Sequence, residues 1–178
     1  PTGTGKTYAV WIPPLVEWMT EQDKPEQKKK APGLRVLWVT PLRALVEDTK
    51  LSLLEFCEEM NLPWTVEART GDTSGTNKAR QLKRLPSCLV TTPESLYVLL
   101  NYPDFKDSAS ELKAVIVDEW HELLSTKRGI QTELCLARLR KWNPQMRTWG
   151  LSATLGNLDV ARSALLGTSA EGKLINGG

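Results

Sequence analysis

The sequence predicts an α/β domain with a mainly parallel sheet and helices on both faces. Three observations predict it. Short β-rich runs alternate with stretches of helical periodicity along the 178 residues, the order from which βαβ units are built. Several of the runs are almost continuously apolar, as strands covered on both faces are. The carboxylates of DEWHE and the hydroxyls of LSAT fall where such runs end, and folds of this class bind ligands at the carboxyl ends of strands.

The strand candidates are Arg35–Thr40 (RVLWVT), Trp64–Arg69 (WTVEAR), Cys88–Thr92 (CLVTT), Ala114–Asp118 (AVIVD) and Arg147–Ser152 (RTWGLS). The helix candidates are Lys6–Met19, Leu42–Met60, Lys78–Leu85, Glu94–Asn101, Gln131–Trp142 and Leu158–Leu166. In Gln131–Trp142 the residues Leu134, Leu136, Ala137, Leu139 and Trp142 make an apolar face at helical spacing. Pro13 and Pro14 interrupt the first helix; proline removes a backbone bond, so a break is expected there. The stretch Glu21–Gly33 (EQDKPEQKKKAPG) is polar and Pro/Gly-bearing and reads as a surface loop.

Composition narrows the class. Forty percent hydrophobic and 25% charged residues suit a globular domain with its own core. No apolar run approaches the ~20 residues of a membrane span, and a cytoplasmic setting is inferred. Cys57, Cys88 and Cys135 are far apart and show no CxxC spacing, which favours reduced thiols over a disulfide framework or a zinc site. A net charge of only +2 does not by itself announce nucleic-acid binding.

Three motifs carry chemistry. The first is PTGTGKT, residues 1–7, which matches the end of a P-loop. Gly3 and Gly5 let backbone N–H groups turn toward a phosphate, with Thr2 before them and Thr4 between them, and the following helix offers its N-terminus to the anion. Lys6 would reach the β/γ-phosphates and the Thr7 hydroxyl would ligate Mg²⁺. The second is AVIVDEWHELL, residues 114–124, where a buried strand ends in two carboxylates. Asp118 would hold Mg²⁺ and Glu119 would orient and deprotonate the attacking water. The third is GLSATLGN, residues 150–157, where Ser152 and Thr154 follow a strand and Asn157 would cap the next helix.

The order PTGTGKT, TPLRAL (40–45), TGDT (70–73), TTPESL (91–96), DEWHEL (118–123) and LSAT (151–154) resembles the motif series of superfamily 2 DEXH-box helicases. Asp118 lies 112 residues after Lys6 and Ser152 lies 34 after Asp118. DEWHELL followed by TKRGIQTELCLARLR is similar to the large-helicase-related (Lhr) group, and WGLSATLGNL to its bacterial ligase-associated members.

The resemblance implies a RecA-like P-loop fold, ATP and Mg²⁺ as cofactors, and single-stranded or partly duplex nucleic acid as partner. DNA is favoured, with 3′-to-5′ movement in a repair context. It implies catalytic roles for Lys6, Asp118, Glu119 and His121, and a coupling role for Ser152 and Thr154 through His121. It implies strand contacts by Pro41, Arg43 and Ala44, by Thr70, Gly71 and Asp72, and by Thr92 and Pro93, with Arg128 a further candidate and Glu94 a helix cap. Helix N-termini at these turns could bond phosphates without reading bases. The tryptophans could stack bases, but Trp38 and Trp149 fall in apolar runs and read as core.

The resemblance also implies parts beyond this sequence: a strand before the P-loop, an adenine-reading glutamine motif, a second RecA-like domain with its arginine finger, and a winged-helix region. Residues 1–178 are therefore read as a first RecA-like domain, incomplete at its N-terminal strand. A P-loop enzyme acting on a small molecule, or a catalytically inactive fragment, remain as alternatives at this stage.

Overall fold

The computed structural model describes residues 5–22, 30–153, 158–167 and 172–175. Five strands, β1 (Val36–Val39), β2 (Val66–Arg69), β3 (Cys88–Thr91), β4 (Ala114–Val117) and β5 (Arg147–Gly150), form one sheet in the order β2-β3-β1-β4-β5. All four pairings are parallel. Every strand therefore ends on the same rim, and the loops that follow the five strands converge there. The connections carry α1 (Lys6–Glu21), α2 (Arg43–Glu59), α3 (Gly75–Lys83), α4 (Pro93–Leu100), α5 (Phe105–Ser108), α6 (Lys127–Trp142) and α7 (Leu158–Leu166).

The pleat divides the core in two. Val36 and Trp38 of β1 point to one side, with Trp11, Leu15 and Trp18 of α1 and Val46, Leu53 and Cys57 of α2. Leu37 and Val39 point to the other, with Leu96 and Leu99 of α4, Leu136 and Leu139 of α6 and Leu165 of α7. Helices thus cover both faces, as the apolar runs predict. The three inner strands are buried at every position, whereas β2 and β5 are the edges and are only partly covered.

Three expectations are corrected. Helix α1 runs unbroken through Pro13 and Pro14. An interior proline costs ~3 kcal/mol, but the same helix buries Trp11, Leu15 and Trp18 almost completely, at about 1.5–3 kcal/mol per large side chain, and packing wins. Helix α3 starts at Gly75 instead of Lys78, because the Ser74 hydroxyl accepts from the Asn77 N–H at 3.3 Å and so fixes an earlier first turn. In α6 the inward face holds Thr132 and Cys135 with Leu136 and Leu139, while Leu134 and Ala137 face solvent. Thr132 can turn inward because its hydroxyl donates to the Arg128 carbonyl at 2.8 Å and is not left unbonded.

Trp11, Trp18, Trp38, Trp64 and Trp120 are at most 3% exposed, so base stacking by them is excluded. Trp64 meets Trp11 and Trp18 edge-on, at 5.5 and 6.1 Å between ring centroids. Trp149 is partly buried against the same cluster. The three cysteines are free and buried, and burial pushes the Cys57 and Cys135 thiols up to about 11. Among the described residues no helix is long and apolar enough to cross a membrane.

Candidate nucleotide site and strand-binding rim

The rim divides in two along the strand order. One half, formed by α1, β4 and β5, carries the nucleotide motifs. Gly5 sits just before α1 in the left-handed conformation, φ +69°, a backbone state open to glycine at little cost. It is the N-terminal cap of a 16-residue helix, yet no side chain caps that helix and no acid stands in its first turn. The first-turn N–H groups are thus left for an external anion. Lys6 is exposed at this end, and its ammonium donates to the Ser152 carbonyl at 3.3 Å. Thr7 follows, half-buried. Thr2, Gly3, Thr4 and Thr154 lie outside the described residues, as does Asn157.

Asp118 stands immediately after β4, held on two sides. The Glu119 N–H donates to its Oδ1 at 2.9 Å, and the Trp38 indole N–H to its Oδ2 at 3.4 Å. Burial, reinforced by the neighbouring Glu119 carboxylate, raises its pKa above the ordinary aspartate value, against the opposing pull of these two donors and Lys6. A carboxylate raised in this way gains from a cation beside it. With Lys6 and Thr7 on the same rim, the donor set fits a nucleotide carrying a divalent metal.

Glu119 adopts a left-handed backbone, φ 45° and ψ 45°, at the start of the 3-10 turn Trp120–Glu122. A non-glycine residue there is strained by about 1–2 kcal/mol, and strain of this kind gathers at functional sites. The conformation aims the Glu119 carboxylate at His121, whose Nδ1 lies 3.3 Å from Glu119 Oε2 and 3.0 Å from the Ser152 hydroxyl. His121 Nε2 faces Glu122 at 3.3 Å. Glu119, His121 and Ser152 therefore form one polar chain between the loops after β4 and β5. The Trp120 N–H donates to the Leu151 carbonyl at 2.8 Å and holds those loops together.

The other half of the rim, formed by β2, β3 and β1, carries the candidate strand-binding motifs. After β1, Pro41 is buried, while Arg43 and Ala44 are exposed at the start of α2, a helix without a side-chain cap. After β2, Thr70, Gly71 and Asp72 form a turn in which the Thr73 hydroxyl accepts from the Thr70 N–H at 2.9 Å. Arg43 pairs with Asp72 at 3.2 Å, with both side chains exposed. After β3, Thr92 and Pro93 are buried; the Thr92 hydroxyl caps α4 by accepting from the Ser95 N–H. Glu94 carries the acid of that first turn and pairs with Arg128.

Sequence reasoning missed two contributors. Trp38 reads as core, and it is, but its N–H also holds Asp118. The available signal is that a buried indole needs an acceptor, and the carboxylate at the end of the neighbouring strand supplies one. Glu94 reads as a cap, but the cap of α4 is Thr92, and Glu94 is instead the ion-pair partner of Arg128, a pairing 34 residues apart that no local pattern shows. A cavity of about 350 Å³ lined by Arg35, Lys113 and Trp142 opens at the opposite rim, away from every motif loop.

The chain as a whole is similar to known proteins. The model of the DEAD/DEAH box helicase family matches residues 1–162. The chain is 36% identical over 184 residues to the ATP-dependent helicase Lhr-Core protein 2 of Thermococcus barophilus, covering 97% of this chain and 21% of that protein. It is 34% identical over 167 residues to the Lhr helicase/probable uracil glycosylase of Mycolicibacterium smegmatis, covering 87% and 11%. Among solved structures it matches the Mycobacterium smegmatis helicase Lhr bound to ssDNA and AMP-PNP, with a TM-score of 0.74, 31% identity, and coverage of 96% of this chain and 22% of that one. The DNA-bound MrfA helicase, at 22% identity and a TM-score of 0.74, shares the fold. The chain spans about a fifth of the length of its first curated relatives. A matched family model over residues 1–162, on an all-parallel sheet with helices on both faces, makes this chain a member of the DEAD/DEAH box helicase family.

Proposed function

We propose that this chain is the first RecA-like domain of an ATP-dependent nucleic-acid helicase or translocase, with residues 1–178 forming one ATP-binding unit. The observation that carries the reading is the shared rim: Asp118, Glu119, Ser152 and the strand-binding turns follow strands of one parallel sheet, Lys6 at the start of α1 reaches the Ser152 carbonyl, and His121 Nδ1 lies within 3.3 Å of Glu119 and 3.0 Å of Ser152. The relative solved with ssDNA and AMP-PNP supports single-stranded DNA as the polymer.

Residues 2–7 would hold the nucleotide phosphates, and Thr7 and Asp118 would hold Mg²⁺. Bound ATP-Mg supplies the phosphoryl group and the metal charge. Glu119 takes the proton of the attacking water on its carboxylate. His121 reads the state of that carboxylate through Nδ1 and passes it to Ser152, and Thr154 would share that coupling role. Pro41, Arg43, Ala44, Thr70, Gly71, Asp72, Thr92 and Pro93 frame the strand path, where helix N-termini bond phosphates without reading bases. A second RecA-like domain would supply the arginine that completes the site, worth ~10³–10⁵-fold in related phosphoryl transfers.

The test uses the natural full-length protein. Lys6→Ala should abolish single-strand-stimulated ATP hydrolysis, and Ser152→Ala should retain much of it while impairing unwinding. Wild-type turnover in Lys6→Ala would refute the nucleotide site, and normal unwinding in Ser152→Ala would refute the coupling role.

A further inference from the structure

The middle of the rim is tied together by one side chain. Arg128, in the first turn of α6, donates through Nε and Nη2 to the two carboxylate oxygens of Glu94, the Nη2 contact being 3.2 Å. The same Nη2 donates to the Pro41 carbonyl at 2.7 Å. Pro41 follows β1, Glu94 opens α4 after β3, and α6 follows the turn that leaves β4. Since β1 lies between β3 and β4, the guanidinium joins the loops of three adjacent strands.

Its own base is rigid. Thr126 caps α6 by accepting from the Gly129 N–H at 3.0 Å and donates to the Leu123 carbonyl at 2.7 Å. Gly129 lies so close to that carbonyl that a Cβ would stand 2.0 Å from it. Arg128 is thereby fixed to the turn that contains Glu119, nine residues earlier in the chain.

We propose that Arg128 is a positioning residue for the strand grip and not a phosphate ligand. A planar fork with paired donors suits this task better than a point charge would. It holds the uncapped start of α2 and the first turn of α4 in a fixed relation, so that their backbone donors face one path. It also ties both to the loop that carries the catalytic base. The inference rests on the helicase reading and concerns how the same rim grips its polymer.

The experiment measures the affinity of the full-length protein for a labelled oligothymidylate across a salt series. Its strength is an opposition of signs. Removing the Glu94 charge takes an anion away from the strand path, so electrostatics alone would tighten binding. If Glu94 serves to hold Arg128, Glu94→Gln weakens binding instead, by about fivefold, the scale of a half-exposed charge-assisted pair. Arg128→Gln should weaken it similarly and leave the slope of log K against log salt unchanged, whereas loss of a phosphate contact lowers that slope by about 1. The double reversal Arg128→Glu with Glu94→Arg should bind more tightly than either reversal alone. Thermal unfolding of each variant separates lost grip from lost fold, and rescue by the double reversal cannot come from a variant that merely unfolds. Tighter binding by Glu94→Gln, or a slope reduced by about 1 in Arg128→Gln, would overturn the positioning role and leave the helicase reading standing. A wild-type protein with no affinity for single strands would overturn both.

Discussion

The two halves of the rim are built on opposite principles. In the nucleotide half, ionic groups are held out of their most comfortable states: Glu119 takes a left-handed backbone, and Asp118 is raised by burial beside a second carboxylate. In the strand half, charge is neutralised in place, Arg43 by Asp72 and Arg128 by Glu94, and the turns are closed by the hydroxyls of Thr73 and Thr92. A site that makes and breaks bonds needs poised, under-satisfied groups. A site that slides along a polymer needs shape and modest charge, because each fixed cation adds salt-dependent affinity that resists release. On the proposed function, this also accounts for a net charge of only +2 in the chain.

The largest effect that would test this contrast is at Glu119. Glu119→Gln keeps the volume and the left-handed backbone and removes only the proton acceptor. Turnover should fall by at least ~10²-fold, the usual scale of general-base loss, while affinity for ATP is retained. Full-length protein assayed for steady-state hydrolysis and for binding of a fluorescent nucleotide separates the two. If ATP affinity collapses while turnover persists, Glu119 is not the base.

The nucleotide half was legible in the sequence because its chemistry is local. PTGTGKT and DEWHE each carry their groups within a few residues, and a β-rich run before the second places it at a strand end. The strand half was legible only through resemblance, since TPLRAL, TGDT and TTPESL bear no group whose type alone dictates a role. Long-range pairings such as Arg128 with Glu94 depend on the order in which strands lie side by side, which periodicity does not encode. Helix α1 shows the same limit from the other direction: Pro13 and Pro14 argue locally for a break, and burial of Trp11, Leu15 and Trp18 overrides them.

The joint between the halves is Gly129. A Cβ at that position would meet the Leu123 carbonyl oxygen at 2.0 Å and its carbon at 2.9 Å. Both are backbone atoms and cannot swing aside as a flexible side chain would, so α6 or the turn before it must shift. Gly129→Ala should therefore cost about 1–3 kcal/mol, the usual cost of overpacking, in spite of the better helix propensity of alanine. Chemical denaturation of the variant beside wild type measures it. Stability equal to or above wild type would show that the turn is looser than its geometry implies and would weaken the link between the two halves.

The smallest effect is the one that most sharply separates the halves, because it reverses sign between them. Partial burial pushes the Glu94 carboxyl up, but its bond to Arg128, its own N–H and the Arg128 charge outweigh this, and its pKa lies below the ordinary value. Its ionisation thus stabilises the fold. That contribution is complete above the unfolded glutamate pKa of about 4.3 and is lost as pH falls through the lower folded value. Asp118 is raised, chiefly by burial, so its ionised form is penalised in the fold. Its relative stability is full below the unfolded aspartate pKa of about 3.9 and is lost as pH rises through the higher folded value. The stability of wild type relative to Glu94→Gln should therefore grow as pH rises through the carboxylate range, and that of wild type relative to Asp118→Asn should shrink. Both changes should be modest, at most about 1 kcal/mol for Glu94, whose side chain is 46% exposed and screened by solvent. Urea unfolding in metal-free buffer from pH 3 to pH 7 reads both gaps in one series. Gaps that move in the same direction would mean that the two carboxylates are not held in opposite electrostatic states, and the contrast between a poised half and a neutralised half would fail.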